Sequence, residues 1–260
     1  MLLTIDVGNT NIVFGLVKDN ALQSSFRLTT DGNRTADEIG LILCEYLRRF
    51  DLAPEEIEDT LICSVVPGVM YALTGAVEKY LGKKPIVADE DVIPRLSYPG
   101  NERLGPDRSV ACVAALKKYG APILVLDFGT ATTMDAVGEN GEYFGGCILA
   151  GMRTCTEALF QEAAMLPRID LVRPKTVLSM TTVGQIQAGS VMGYIGATEY
   201  LIRAARQEMP DGDRATVVAT GGLAHIVADS TDLIDVVDDG LILDGLCLLY
   251  EQYREEQGRG

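Results

Sequence analysis

Leu3-Thr4-Ile5-Asp6-Val7-Gly8-Asn9-Thr10 and Leu124-Val125-Leu126-Asp127-Phe128-Gly129-Thr130-Ala131 are two versions of one phrase, 121 residues apart in a chain of 260. Each is an apolar run that ends in Asp, then passes one residue, a Gly and a short hydroxyl or amide side chain. The surroundings repeat as well. Residues 2–6, 11–17 and 21–28 read as three short strands separated by turn residues, and 123–127, 132–137 and 143–149 restart the same order. After the first set, Ile39, Ile42, Leu43, Tyr46, Leu47 and Phe50 recur at helical spacing behind a Thr35/Glu38 capping box. A strand at 61–66, a helix opened by Pro67, a strand at 85–88 and a helix at 109–119 follow. The second set continues with a helix at 154–164, a long helix from 182 to about 207, strands at 215–220 and 233–237, and a last helix at 241–255. A repeat this long signals duplicated domains, not a solenoid. The boundary is expected near 120–122, giving domains 1–120 and 121–260. Two α/β halves facing each other would bring both Asp-x-Gly turns to one cleft.

Composition narrows the chemistry. With 22 Lys+Arg against 37 Asp+Glu, the formal net charge is −15. That balance argues against nucleic acid and against an anionic membrane, both of which call for clustered cations. A small anionic molecule stays open, because a few amides and one cation can hold a phosphate in an acidic protein. His225 is the only histidine, which excludes multi-histidine metal sites and disfavours a His-dependent triad. Cys44, Cys63, Cys112, Cys147, Cys155 and Cys247 form no C-x-x-C pair and read as reduced structural thiols. No basic leader opens the chain and no apolar run approaches the ~18 residues of a membrane span, so a cytoplasmic protein is expected.

The motifs carry more. A strand ending in Asp6 and turning through Gly8-Asn9-Thr10-Asn11 presents backbone N–H groups suited to phosphate, while its carboxylate can hold hydrated Mg²⁺. A tight hairpin is the bland alternative; the second copy, Asp127 to Thr132, favours the phosphate reading. No P-loop is present, and the lone G-x-G lies in the tail at 258–260. Thr220-Gly221-Gly222 after an apolar strand is either a strand-to-helix turn or an adenosine seat. Gly105-Pro106-Asp107-Arg108 precedes the helix expected at 109–119. Asp107 is there either an N-cap or first-turn acid favoured by the helix dipole or a general base for an alcohol, with Arg108 an anion clamp. Gly145, Gly146 and Gly151 bracket a strand, as a turn or as a loop against a ligand. Gly184, Gly189, Gly193 and Gly196 sit in one helix at about 0.5–1 kcal/mol each. Close packing must offset that cost, either within the domain or in a homodimer. His225 reads as an ordinary surface or core residue.

Asp-x-Gly-Asn-Thr at 6–10, Gly-x-Asp-Arg at 105–108, Asp-Phe-Gly-Thr-Ala-Thr-Thr at 127–133 and Thr-Gly-Gly-Leu-Ala at 220–224 stand in one order. Together they resemble the type III pantothenate kinases of the actin-like and sugar-kinase superfamily. The likeness extends to SVVP at 64–67, AMLPRI at 164–169 and LDGL at 243–246. The resemblance implies duplicated ribonuclease H-like (actin-like ATPase) α/β domains with a nucleotide cleft between them. It implies transfer of the ATP γ-phosphoryl to the primary hydroxyl of pantothenate, the first step toward coenzyme A. By likeness, Asp6, Val7, Gly8, Asn9, Thr10, Asn11, Ile12 and Val13 form the ATP phosphate loop, with Asp6 near Mg²⁺, and Thr130 is a further ATP contact. Tyr98, Gly105, Pro106, Asp107 and Arg108 match pantothenate-binding positions, with Asp107 the proton acceptor. Thr182 matches a substrate contact supplied in a homodimer, and Asp127 the ligand of a monovalent cation, K⁺ or NH₄⁺.

Three positions depart from the family pattern: Ala150 stands where Pro is usual, Thr181-Thr182 where Asn-Thr is usual, and Pro106 where Ala is frequent. The rival readings are a kinase for another small alcohol, a non-catalytic nucleotide-binding regulator like the Bvg accessory factors, and an actin-like filament protein. Intact Asp6, Asp107 and Asp127 count against the regulator.

Overall fold

Apolar residues at alternate positions of an extended run face one side of a sheet, and both Asp-x-Gly phrases obey that rule. The computed structural model describes residues 1–88, 92 and 104–258. In its first half the elements are β1 (Leu2–Val7), β2 (Asn11–Lys18), β3 (Ala21–Thr29), α1 (Ala36–Arg48), β4 (Asp59–Ser64), α2 (Pro67–Leu81), β5 (Ile86–Val87) and α3 (Pro106–Tyr119). The second half has β6 (Ile123–Phe128), β7 (Ala131–Val137), β8 (Tyr143–Ala150), α4 (Met152–Glu162), α5 (Thr182–Gln187), α6 (Gly193–Glu208), β9 (Thr216–Thr220), α7 (Ala224–Ala228), β10 (Val236–Val237) and α8 (Leu241–Glu256).

Among the described residues the strands form two five-stranded sheets, β3-β2-β1-β4-β5 and β8-β7-β6-β9-β10. In the first, β1–β2 and β2–β3 are antiparallel while β1–β4 and β4–β5 are parallel. The second repeats this strand for strand. The duplication read from sequence is therefore a duplication of topology.

Local chemistry fixes the element ends. Thr35 and Glu38 make the reciprocal capping box that starts α1. Pro67 occupies the first turn of α2, and Gly82 ends that helix at φ 69°. Pro106 opens α3, so proline at this position is compatible with the helix. The long helix expected from residue 182 is present but interrupted: a π-helical turn, Ala188–Met192, separates α5 from α6. The strand expected at 233–237 shrinks to Val236–Val237, while Leu233 and Ile234 still pack against the core.

By contacts, the described residues divide into a first unit of 1–88, 104–114 and 240–258 and a second of 115–239. In the first unit Leu3, Ile5, Val7 and Ile62 face α1 and α2, meeting Ile39, Leu43, Leu73 and Val77. The opposite sheet face carries Leu2, Leu61 and Cys63 against Val110 of α3 and Leu246 and Leu249 of α8. The last helix of the chain thus completes the first sheet, and Tyr250 donates its hydroxyl hydrogen to Asp59. In the second unit Leu124, Leu126 and Phe128 pack with Val217, Ala219, Val191, Ile195 and Ile202. No helix among the described residues is long and apolar enough to cross a membrane.

Candidate active site

The first Asp-x-Gly turn follows from strand pairing. Val7 pairs with Ile12, so Gly8, Asn9, Thr10 and Asn11 make the turn, closed by Gly8 N–H donating to Asn11 O at 3.0 Å. Asn9, Thr10 and Asn11 are exposed and Asp6 is half-buried. Val7 and Ile12 are buried in the core, so their part in holding a phosphate is limited to the backbone. Thr30 braces the loop twice: its Oγ1 donates to Gly8 O at 2.6 Å and its N–H donates to Thr10 O at 2.9 Å. Nothing in the local sequence around Thr30 announces that role, because it arises only when β3 returns beside β2.

Asp6 shares its sheet face with its two cross-strand neighbours, Val13 of β2 and Cys63 of β4. Helix α3 covers this face through Val110, and its first turn carries Asp107. Asp107 accepts the backbone N–H of Arg108 at 2.8 Å through Oδ1. A side chain at position 105 would crowd that carboxylate, since a Cβ on Gly105 stands 2.9 Å from Asp107 Oδ1. Burial pushes the Cys63 thiol well above its ordinary value, and the Asp6 and Asp107 charges push it further the same way. The first unit therefore brings together two of the carboxylates singled out in the sequence, with Gly105, Pro106 and Arg108 half-buried beside them in chain order.

The second turn is one residue tighter. Phe128 pairs with Thr132, and Gly129 N–H donates to Ala131 O at 3.1 Å. Asp127 lies in register with Thr133 and Thr220, which puts a carboxylate and two hydroxyls on one face. Gly221 (φ 91°) presses on this group: a Cβ there would stand 2.3 Å from Asp127 Oδ1 and 2.7 Å from Phe128 N. Gly151 presses from the other side, with Cβ room of only 2.3 Å to Gly129 O and 2.6 Å to Thr130 O. Thr130 O accepts from both Gly151 N–H (3.0 Å) and Thr154 Oγ1 (2.7 Å), which ties the turn to the start of α4. Gly151 is thus a turn pressed against its own chain.

Thr182 lines a groove of about 660 Å³ in the second unit, together with Leu149, Leu159, Gln185, Ile186 and Tyr194. Tyr194 donates to Ala150 O at 3.1 Å. Thr181 caps α5 by accepting Gly184 N–H at 3.2 Å. Thr serves there as Asn would, since both are good N-caps. Space is open around Gly189, Gly193 and Gly196, so close packing within their own unit does not account for them. His225 is exposed and paired with Asp239 at 3.1 Å, as a surface residue. Tyr98 lies outside the described residues. The described residues include no group of three or more His, Cys, Asp or Glu that could hold a metal by itself.

Two sheets of identical order, each with an Asp next to last in its first strand before a glycine turn, have the duplicated layout of the actin-like and sugar-kinase fold. Comparison narrows this. The family model described as type III pantothenate kinase matches residues 2–204. A type III pantothenate kinase of Agathobacter rectalis is 42% identical over 254 residues, covering 97% of each chain. Among solved structures, a conserved putative Baf family transcriptional activator from Campylobacter jejuni superposes with a TM-score of 0.61 at 20% identity, covering 97% of this chain and 99% of that one. MreB 5 of Spiroplasma citri, bound to AMPPNP, superposes with a TM-score of 0.55 at 10% identity over 100% and 98% of the two chains. At these identities the structures speak for the fold alone. The chain belongs to the type III pantothenate kinase family, and it is a kinase.

Proposed function

We propose that this chain carries out the reaction named by its family: ATP-dependent phosphorylation of the primary hydroxyl of pantothenate, at the head of coenzyme A synthesis. Asp107 accepts the hydroxyl proton. The observation that carries the residue assignment is that Asp6 and Asp107 converge on one sheet face, both near enough to Cys63 for their charges to act on it. Phosphoryl transfer asks a protein mainly for positioning and for neutralised charge. A carboxylate at the end of β1 next to exposed backbone donors suits the phosphate end, and one at the start of α3 suits the alcohol.

The division of roles follows. The loop Asp6–Val13 holds the ATP phosphates, chiefly through the backbone of Gly8, Asn9, Thr10 and Asn11, with Thr130 as a further contact. Gly105–Arg108 receives pantothenate, Arg108 pairing with its carboxylate or with the phosphoryl group; Tyr98 and Thr182 are the remaining substrate positions. Mg²⁺ accompanies ATP near Asp6; a half-buried carboxylate fits an ion that keeps its waters and phosphate oxygens. Asp127, flanked in register by the hydroxyl-bearing Thr133 and Thr220, is an oxygen donor set that fits K⁺ or NH₄⁺. These ions supply charge neutralisation.

A homodimer fits the same reading. Gly189, Gly193 and Gly196 leave open space along a helical run that also carries exposed Tyr200 and Val183, which favours a close second backbone. Six free thiols suit a reducing cytoplasm.

The test is ADP release with pantothenate in K⁺, repeated with Na⁺ in its place. Turnover in K⁺ that falls in Na⁺ supports the reading. Folded protein that binds ATP without turnover would instead indicate a regulator.

A further inference from the structure

Cys63 is a fully buried nucleophile to which the proposed chemistry gives no part. Its place in the fold is specific. On β4 it is the parallel register partner of Asp6, and its side chain lies on the same face of the sheet. That face is covered by α3 and α8, and Cys63 shares one core cluster with Val110, the residue almost one turn beyond Asp107, and with Leu246. Helix α8 lies on the sheet as well, and its contact with α3 leaves that helix little freedom to shift along the face. Gly245 of α8 approaches it so closely that a Cβ there would stand 2.7 Å from Val110 Cγ1 and 2.9 Å from Val110 O. With its flank held by α8, the height of α3 over the end of β1 depends on the sheet residues of the shared cluster, Cys63 among them.

We propose that Cys63 is a positioning residue whose side-chain volume sets the separation between Asp6, at the end of β1, and Asp107, at the start of α3. The proposal rests on the reading of Asp107 as proton acceptor and Asp6 as the phosphate-side carboxylate. A one-sulfur side chain holds the two carboxylates apart without adding a third charge. Smaller, it lets the helix settle toward Asp6; larger and branched, it lifts the helix away. Either shift moves the proton acceptor relative to the phosphoryl group, and a displacement of ~1 Å is enough to cost on the order of 10²-fold in rate.

The experiment compares Cys63→Ala, Cys63→Val and Cys63→Ser with Asp107→Asn in full-length protein, with kcat expressed per folded molecule from circular dichroism. Ala and Val are expected to lower kcat about 10-fold to 100-fold while KM for ATP stays within about threefold, and Ser, closest in size, to restore kcat to within about threefold of the parent. A core-filling role alone would lower the melting temperature and leave kcat per folded molecule intact, and that result overturns the proposal. So does a Ser variant as slow as Ala. If Val does not fold, the Ala and Ser pair decides. The arms also separate two failures: a normal Asp107→Asn removes the underlying assignment, whereas an inactive Asp107→Asn beside a normal Cys63→Ala removes only the role of Cys63.

Discussion

Gly221 lies so close to Asp127 that any β-carbon on it would stand 2.3 Å from the carboxylate Oδ1. The glycine also adopts φ 91°, a conformation that side chains rarely take. Gly221→Ala is therefore expected to push Asp127 out of register with Thr133 and Thr220. Turnover should fall at least about tenfold, and the KCl concentration for half-activation should rise. A variant with parental KCl dependence would separate Asp127 from the cation.

Gly151 makes the matching demand on the other side of the turn. Gly151→Ala sets a methyl against Gly129 O and Thr130 O, which are backbone and cannot rotate away. The strain is expected to cost about 1–3 kcal/mol in urea unfolding. The displaced Thr130 should also raise KM for ATP, and unchanged KM would exclude Thr130 as an ATP contact.

Asp107→Asn keeps the shape of the first turn of α3 while removing the carboxylate proposed as proton acceptor. A positioned proton acceptor is worth about 10²–10⁴-fold. We expect kcat to fall by that factor with KM for ATP close to parental; a rate near that of the parent would take Asp107 out of the mechanism.

Tyr250 ties α8 to β4 through Asp59. Burial pushes the phenol up and the Asp59 carboxylate pushes the same way, so it remains a donor at any working pH. Tyr250→Phe leaves a carboxylate short of one hydrogen bond and should cost about 1.5–3 kcal/mol by chemical denaturation. Because the contact lies away from the loops, kcat per folded molecule should be unchanged.

His225 bonds to Asp239, and that bond, followed by the charge of Asp239, raises its pKa above the ordinary histidine value. A raised folded-state pKa stabilises fully below the unfolded value of about 6.5 and is lost as pH rises through the folded one. The parent should melt slightly above His225→Gln at pH 5.5, with the gap closing toward pH 8. Both side chains are well exposed, so the gap is small. A gap that widens with pH would reverse the assignment.

Much of the fold was legible because strand and helix periods are local. The alternation in Leu2–Val7, the Thr35/Glu38 box and the first-turn Pro67 each act over a few residues, and each formed where expected. The π-helical turn and the short β10 were not legible, since both depend on which surface the segment meets. In the site, motif residues were visible as motifs, but their supports were not. Thr30, Thr154 and Cys63 carry no local mark and matter through strand pairing or helix contact.

By itself the sequence determined that the chain is a duplicated α/β protein with an Asp-x-Gly turn in each copy, because apolar period and glycine turns are written residue by residue. With a single histidine in the chain, it also pointed to a carboxylate as the expected proton acceptor. Only the tertiary structure decided that α8 completes the first sheet, that Asp107 of α3 stands over the face bearing Asp6, and that Gly221 and Gly151 clamp the second turn. Those relations join residues from about 20 to nearly 200 positions apart. Hydrophobic burial and close packing set them, and no local pattern encodes either.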